Sequence, residues 1–107
     1  MKGLWGWLFQ RVTGVLLVAG LLVHFIIMHY SGPEQITYAF VMARFSNPLW
    51  KLFDLAFLLS VIYHGFNGVW GIVLEYISSE SLRKACQVGL LTAASVLAAA
   101  GIYILTV

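Results

Sequence analysis

The charged residues of the chain are segregated, and they leave three long apolar stretches between them. No Asp, Glu, Lys or Arg occurs in Val12–Pro33, Leu55–Leu74 or Ala85–Val107, which contain 22, 20 and 23 residues. Because an α-helix rises about 1.5 Å per residue, roughly 20 apolar residues cross the hydrocarbon core of a bilayer. Inside lipid, each backbone N–H and C=O group must be paired within its own segment, which favours helices. The pattern therefore predicts an all-α integral membrane protein with three transmembrane helices.

The residues between these stretches indicate where the helices end. The tripeptide Ser31–Pro33 contains helix-breaking residues, and Ser78–Ser81 forms a tight connection in which Ser81 is suited to cap the third helix. Residues 1–9 are predicted as a short headpiece, and Glu34–Pro48 as a loop with room for a short interfacial helix. The predicted helices span about residues 10–30, 49–77 and 82–106 of a single membrane domain, residues 1–107.

Composition agrees with this architecture and excludes several functions. Only 9% of the residues are charged and 62% are hydrophobic, with a mean hydropathy of +0.94, whereas a soluble domain carries about 25% charged residues. The basic residues are scattered, so the net charge of +2 does not indicate a nucleic-acid partner. The single cysteine, Cys86, cannot form an internal disulfide. Without a nucleotide-binding loop or a cysteine cluster, the chain alone is not expected to be a dehydrogenase.

The basic residues predict the orientation of the chain in the membrane. Cytoplasmic loops carry the excess of Lys and Arg, and four such residues fall on the side of the N-terminus against two on the other side. The first group is Lys2, Arg11, Arg83 and Lys84, and the second is Arg44 and Lys51. The distribution favours a cytoplasmic N-terminus and a C-terminus outside.

Histidines are the ionisable residues inside the predicted spans. His24 and His29 lie in the first span and His64 lies in the middle of the second, whereas the four carboxylates all lie near the ends of helices. Ionisable side chains are costly in lipid, so they are functional candidates by default.

His64 belongs to a stripe about 80° wide, at 100° per residue, that consists mainly of small residues. Its members are Ser60, His64, Gly68, Gly71 and Glu75. Two interpretations are open. Small residues at this spacing let helices pack closely in lipid, and they also make room for a flat macrocycle whose iron the imidazole ligates. For an isolated histidine, close packing against a partner helix is the default interpretation.

Three further residues lie near the predicted cytoplasmic end of the helices. Glu75 and Tyr76 are roughly 17–18 Å along the helix from His64. Tyr76 is either an interfacial anchor or a hydrogen-bond donor to a ligand carbonyl. Arg11, at the predicted start of the first helix, is expected at a similar depth to Tyr76. It is either a snorkelling charge or a guanidinium that pairs with carboxylates such as those of a haem.

Two motifs in the first two predicted helices resemble those of a known family. The segment Trp7–Thr13, WLFQRVT, resembles the family's W-x-x-Q-R-x-T at the start of its first helix. His64 and Gly68, followed by Glu75 and Tyr76, resemble its haem histidine, its glycine and its acidic-Tyr pair, although the family usually has Asp where Glu75 stands. In these motifs and in length, the chain resembles the small membrane-anchor (D) subunit of succinate:quinone oxidoreductase, respiratory complex II.

The resemblance implies roles for five residues. His64 is expected to be an axial ligand of haem b, and Arg11 a residue of the propionate or quinone site. Tyr76 is expected to contact quinone, with Glu75 in a supporting role. Some complex II types hold two haems with one ligand on the first helix, which makes His29 a candidate ligand of a second haem.

The resemblance also implies an electron-transfer function in the respiratory chain. The chain is expected to act, without catalysing on its own, as a hydrophobic membrane anchor of succinate dehydrogenase that helps pass electrons from an iron–sulfur subunit to quinone. The expected partners are a second membrane-anchor (C) subunit, the iron–sulfur subunit, a flavoprotein subunit and membrane lipid, in a bacterial or archaeal cytoplasmic membrane. Two alternatives remain: a small multidrug or proton-coupled transporter, which needs a carboxylate at midplane, and a structural accessory subunit of another respiratory or photosynthetic complex.

Overall fold

A computed structural model describes residues 3–30 and 32–107 of the chain. The described residues form a 3₁₀ helix at Pro33–Ile36 and four α-helices. The α-helices are α1 (Leu4–Tyr30), α2 (Tyr38–Ser46), α3 (Pro48–Tyr76) and α4 (Glu80–Thr106). Lys2, which contributed to the predicted orientation, and Ser31, which contributed to the predicted end of the first helix, lie outside the described residues.

Three of the helices match the predicted membrane spans. Helices α1, α3 and α4 contain 27, 29 and 27 residues and are long and apolar enough to cross a membrane. At about 1.5 Å per residue each is roughly 40 Å long, so its ends extend beyond a hydrocarbon core of about 30 Å. The predicted all-α fold with three transmembrane helices is confirmed, and the short helix allowed for between the first two spans is α2.

Helix α1 begins earlier than the sequence pattern predicted. It starts at Leu4, so the predicted headpiece is mostly helical and Arg11 lies about two turns inside the helix. The rings of Trp5 and Phe9, four residues apart, stack with their centroids 5.9 Å apart. Such pairs stabilise a helix, and no helix-breaking residue separates this aromatic turn from the apolar span.

The predicted cap of the last helix was displaced by two residues. Helix α4 begins at Glu80, so Ser81 lies within its first turn. The hydroxyl of Ser79 accepts a hydrogen bond from the backbone N–H of Leu82 at 3.3 Å. Ser79 has the extended backbone of an N-cap, and its side chain pairs one of the N–H groups that a helix start leaves free.

Helix α3 lies between α1 and α4 and packs against both of them. Helices α1 and α3 are antiparallel: Gln10 contacts His64, whereas His24 contacts Asp54. The ring of Phe57 lies directly against Gly20 of α1, where a Cβ atom would overlap it.

The contact between α3 and α4 follows the same principle. Leu58 of α3 occupies the space that a side chain at Gly101 of α4 would need. Small residues let helix backbones approach closely in lipid, where no hydrophobic force drives helices together. The two interfaces therefore depend on glycine at these positions.

Buried positions in the described residues are few and mostly small. Thr13 and Ser60 are 9% and 5% exposed, Gly6 and Gly20 are buried, and no large side chain is completely buried. Many large apolar side chains are exposed. This distribution suits a chain whose apolar surface is covered by lipid and by other subunits.

Candidate functional site

His64 lies in the middle of α3 and turns its ring towards α1. Its Nδ1 atom is 3.0 Å from the backbone oxygen of Gln10 and 3.3 Å from the hydroxyl of Thr13. A carbonyl oxygen can only accept a hydrogen bond, so Nδ1 must carry the proton. The Thr13 hydroxyl donates to the backbone oxygen of Phe9 at 2.6 Å, which leaves its own oxygen available as a second acceptor.

The proton on Nδ1 makes Nε2 the nitrogen of the neutral His64 ring that can bind a metal. In a neutral imidazole with its proton on Nδ1, Nε2 has a free lone pair. Nε2 forms no hydrogen bond with any residue in the described part of the chain. Histidines that bind metals usually donate their other ring N–H to a carbonyl or carboxylate. His64 therefore fits the requirements of a haem ligand.

Most of the small-residue stripe around His64 is explained by close packing within the chain. A Cβ atom at Gly14 of α1 would lie 3.3 Å from Cε1 of His64, and one at Gly68 would lie 3.5 Å from Nε2 of Gln10. Ser60 is buried. These positions bring α1 and α3 together, whereas a Cβ atom at Gly71 would have no described atom within 4 Å. Close packing within the chain thus accounts for most of the stripe and leaves Gly71 open.

Two amide side chains complete the contact between α1 and α3 at this level. Nε2 of Gln10 donates to the backbone oxygen of His64 at 3.2 Å. Nδ2 of Asn67 donates to Oε1 of Gln10 at 2.7 Å. Sequence reasoning missed Asn67, although a polar residue one turn after a membrane histidine is a signal for contacts across helices.

Arg11 lies at the depth of His64, but its side chain contacts Trp7 instead of His64. Its neighbours Gln10 and Thr13 both contact His64, so Arg11 is level with that histidine. Its exposed guanidinium is 3.9 Å from the ring centroid of Trp7, and its Nη1 donates to the Trp7 backbone oxygen at 3.3 Å. The structure does not bring Arg11 and His64 together.

The expected common depth of Arg11 and Tyr76 was wrong. Tyr76 is twelve residues beyond His64 in α3, which corresponds to roughly 18 Å along the helix. The error came from the start of α1, which lies at Leu4 rather than near Gln10.

Glu75 and Tyr76 are the last two residues of α3, and both are exposed. Tyr76 is 78% exposed, and its hydroxyl forms no hydrogen bond within the described part of the chain. The backbone at the end of α3 is held by hydrogen bonds from α4. Arg83 of α4 donates from Nη2 to the backbone oxygen of Leu74 at 2.7 Å and from Nε to that of Ile77.

Arg83 has a structural role that the sequence analysis did not assign. The last carbonyl groups of a helix lack partners within the helix, and a cation there also interacts favourably with the helix dipole. The backbone beside Tyr76 is therefore fixed, while its side chain projects freely. The feature of the sequence that could have predicted this role is a basic residue shortly after the end of a helix.

The other two histidines lie towards the opposite end of α1. His29 is exposed and packs on the ring of Phe25, with centroids 4.4 Å apart. It is sixteen residues beyond Thr13, or roughly 24 Å from the level of His64. His24 instead faces α3, with Nε2 3.9 Å from Oδ1 of Asp54. This contact was not predicted, because spacing within one helix does not show which residues of another helix lie opposite.

A cavity of about 430 Å³ adjoins the contact between His24 and Asp54. It is lined by residues of α1, α2, α3 and α4, including Arg44 and Trp50. A second, almost entirely apolar groove of about 590 Å³ runs between α3 and α4 beside Asn67. Neither contains His64 or Tyr76 among its lining residues.

Comparison with known proteins gives consistent matches. Residues 1–106 match the family described as succinate dehydrogenase/fumarate reductase transmembrane subunit. The chain is 34% identical over 101 residues to the succinate dehydrogenase hydrophobic membrane anchor subunit of Archaeoglobus fulgidus, a match that covers 92% of this chain and 85% of that protein. Similar proteins of the same description occur in Coxiella burnetii, 29% identical with 80% and 73% covered, and in Thermoplasma acidophilum, 32% identical with 77% and 68% covered.

Proposed function

Because the chain belongs to the family of succinate dehydrogenase/fumarate reductase transmembrane subunits, we propose that it binds haem b and helps to form a quinone-reduction site. Family membership makes it an integral membrane anchor of a multisubunit complex and sets aside the transporter and the accessory subunit of another complex. The observation that carries the haem proposal is the hydrogen bond from Nδ1 of His64 to the Gln10 carbonyl.

In this proposal, His64 would hold the haem iron through Nε2. The Gln10 carbonyl keeps the proton on Nδ1 and so keeps Nε2 free for iron. Haem b, when bound, supplies a one-electron redox centre inside the membrane. A histidine of the second membrane-anchor (C) subunit would supply the other ligand.

Arg11 is proposed to pair with a haem propionate, because it is level with His64 and roughly 18 Å from the level of Tyr76. Its guanidinium is already engaged with Trp7, so the pairing requires that it leave this stack. A bidentate bond to a carboxylate is strong enough to compete with one exposed cation–π contact.

Tyr76 is the proposed quinone contact. Its free hydroxyl donates a hydrogen bond to a quinone oxygen and stabilises the charge that develops there on reduction. Glu75 beside it is proposed to support this contact as a hydrogen-bond acceptor. Arg83 contributes indirectly by fixing the end of α3.

The electrons are proposed to come from an iron–sulfur subunit, which receives them from a flavoprotein subunit. Tyr76 lies at the C-terminal end of α3. This end and the start of α1 lie on the same side of the membrane, which is the side predicted to be cytoplasmic in a bacterial or archaeal cell. Placement of the two soluble subunits on that side brings them next to Tyr76.

Haem content tests the first part of the proposal. The purified complex is expected to show a low-spin haem b spectrum, and a pyridine haemochrome assay gives the number of haems per complex. Two haems keep His29 as a candidate second ligand, whereas one haem excludes it. A wild-type complex without haem contradicts the role of His64.

Tyr76→Phe tests the second part. The substitution keeps the ring and its packing and removes only the hydroxyl, so a hydrogen bond of roughly 1–3 kcal/mol is lost if Tyr76 contacts quinone. At about 1.4 kcal/mol per decade, quinone reductase activity is expected to fall about tenfold to hundredfold. Succinate oxidation with an artificial acceptor upstream of quinone is the control and stays normal. Full quinone turnover in this variant removes Tyr76 from the site.

A further inference from the structure

The side chain of Gln10 links α1 to α3 at the level of His64 through both ends of its amide. The backbone oxygen of His64 can only accept, so the Gln10 atom that faces it at 3.2 Å must be the donor Nε2. Oε1 of Gln10 therefore faces Asn67, which donates to it at 2.7 Å. The orientation of the Gln10 amide follows from this chain of donors and acceptors.

Gln10 contacts His64 twice, through two different groups. Its side chain binds the backbone of His64, and its own backbone oxygen binds Nδ1 of the imidazole at 3.0 Å. A change in the position of Gln10 relative to α3 alters both bonds together. Asn67 holds the free end of the amide from the next turn of α3, so the two helices cannot slide or rotate at this point without breaking a hydrogen bond.

A polar amide inside a membrane span is costly unless its groups are paired. Polar contacts between membrane helices usually serve to hold the helices together. Adhesion alone does not require the contact to converge on a histidine. Here Gln10 and Thr13 both contact His64, Asn67 binds the amide of Gln10, and Gly14 lets the backbone of α1 approach the His64 ring.

We propose that Gln10 and Asn67 are positioning residues that fix the ring orientation and the Nδ1 proton of His64 and thereby tune the metal that Nε2 binds. The inference rests on the proposed haem ligation. A hydrogen bond from Nδ1–H raises the basicity of a ligating imidazole. A more basic ligand stabilises ferric iron relative to ferrous iron, so the intact pair of amides keeps the haem potential low.

Asn67→Leu in the assembled complex tests the proposal. The substitution keeps the approximate size of the side chain, removes the donor to Oε1 of Gln10 and leaves His64 in place. We expect haem to remain bound, its midpoint potential to rise, its low-spin electron paramagnetic resonance signal to shift, and its transfer to a haem-scavenging protein to accelerate roughly tenfold. Gln10→Leu is expected to act in the same direction, and the double variant to add little, because the two amides form one unit.

Gln87→Leu is the matched control. It removes the same kind of amide from α4, where Gln87 lines the apolar groove and its side chain forms no hydrogen bond within the described residues, so the haem potential and transfer rate should stay at wild-type values. All measurements use the assembled fraction, and Asn67→Ala replaces Asn67→Leu if the leucine prevents assembly.

The outcomes separate three cases. A raised potential and faster haem transfer in the Asn67 and Gln10 variants, but not in Gln87→Leu, support positioning. A lower thermal stability with unchanged potential and unchanged resonance signal overturns it and leaves only adhesion between the helices. Absence of haem from the wild-type complex overturns the proposed ligation itself. The wild-type measurement gives this result before any variant is compared.

Discussion

The side chains of two histidines lie at the interface between α1 and α3, and each contacts a different kind of group on the other helix. His64 of α3 turns Nδ1 to the backbone carbonyl of Gln10, whereas His24 of α1 turns Nε2 to the carboxylate of Asp54 at 3.9 Å. A carbonyl fixes a neutral tautomer and leaves one nitrogen free. The oxygens of a carboxylate also only accept, but this contact of 3.9 Å is too long for a hydrogen bond and fixes no tautomer of His24. The chemistry of a histidine at a helix interface is therefore determined by the residue that the other helix places opposite it.

The surroundings of the two histidines differ as well. Around His64 the contacts are hydrogen bonds between small and polar residues, and Gly14 lets the ring approach α1. Around His24 the contacts are between rings: Phe53 and Phe57 lie with their centroids 5.9 and 4.7 Å from that of His24. The first region holds the ring of His64 through hydrogen bonds, and the second packs the ring of His24 against other rings.

The largest expected difference is between His64→Ala and His24→Ala. Loss of the proposed iron ligand at His64 is expected to abolish or greatly perturb the low-spin haem b spectrum of the complex. His24→Ala removes a ring from the same interface and should leave that spectrum nearly unchanged. Visible and low-temperature spectra of the two purified complexes provide the measurement.

The reverse pattern would exchange the roles of the two regions. If His24→Ala removed haem and His64→Ala did not, the carbonyl contact of His64 would be structural only. Succinate oxidation with an artificial acceptor serves as the assembly control for both variants, because it reports on the soluble subunits.

The sequence indicated the membrane helices because their signal is local. Twenty uncharged residues in a row suffice to predict a span, and all three predicted spans are present. The start of α1 was missed because Trp5, Trp7 and Phe9 belong equally well to an interfacial headpiece and to a first helical turn. That single error of about two turns displaced Arg11 to the wrong depth.

The partners of His64 were beyond the reach of the sequence pattern for a different reason. Helical periodicity shows which residues of α3 share a face, but the tautomer of His64 depends on its register against α1. The family resemblance selected His64 without supplying the contacts of Gln10 and Asn67. The contact between His24 and Asp54 likewise depends on how α1 and α3 are aligned along their length.

Glycine substitutions sharpen the comparison at the level of packing. Alanine at Gly20 would place a Cβ atom into the ring of Phe57, and overpacking of this kind typically costs about 1–3 kcal/mol. Alanine at Gly14 would place a Cβ atom 3.3 Å from Cε1 of His64, so a small shift of the imidazole suffices. Gly20→Ala is therefore expected to lower the thermal stability of the complex, and Gly14→Ala to change mainly the haem spectrum.

Gly89→Ala is the control for both glycine variants. A Cβ atom at this position in α4 would meet no described atom within 4 Å, and alanine is intrinsically the better helix former. The complex should be at least as stable as wild type by differential scanning calorimetry. Equal stability of all three variants would show that α1 and α3 are farther apart in the assembled complex than in the structure.

The smallest expected effect is that of Asp54→Asn, which removes the charge opposite His24 and keeps the shape of the side chain. The two groups are 3.9 Å apart, near the upper limit for an ion pair, so we expect the pair to contribute little, about 0–1 kcal/mol. The melting temperature of the complex should fall slightly, and the haem spectrum and potential should not change. Glu34→Gln, at an exposed carboxylate in the 3₁₀ helix between α1 and α2, controls for the loss of a negative charge. A shift of the haem potential in Asp54→Asn that is absent from Glu34→Gln would show that the two histidine regions are coupled along α1 and α3, contrary to the separate roles argued for them.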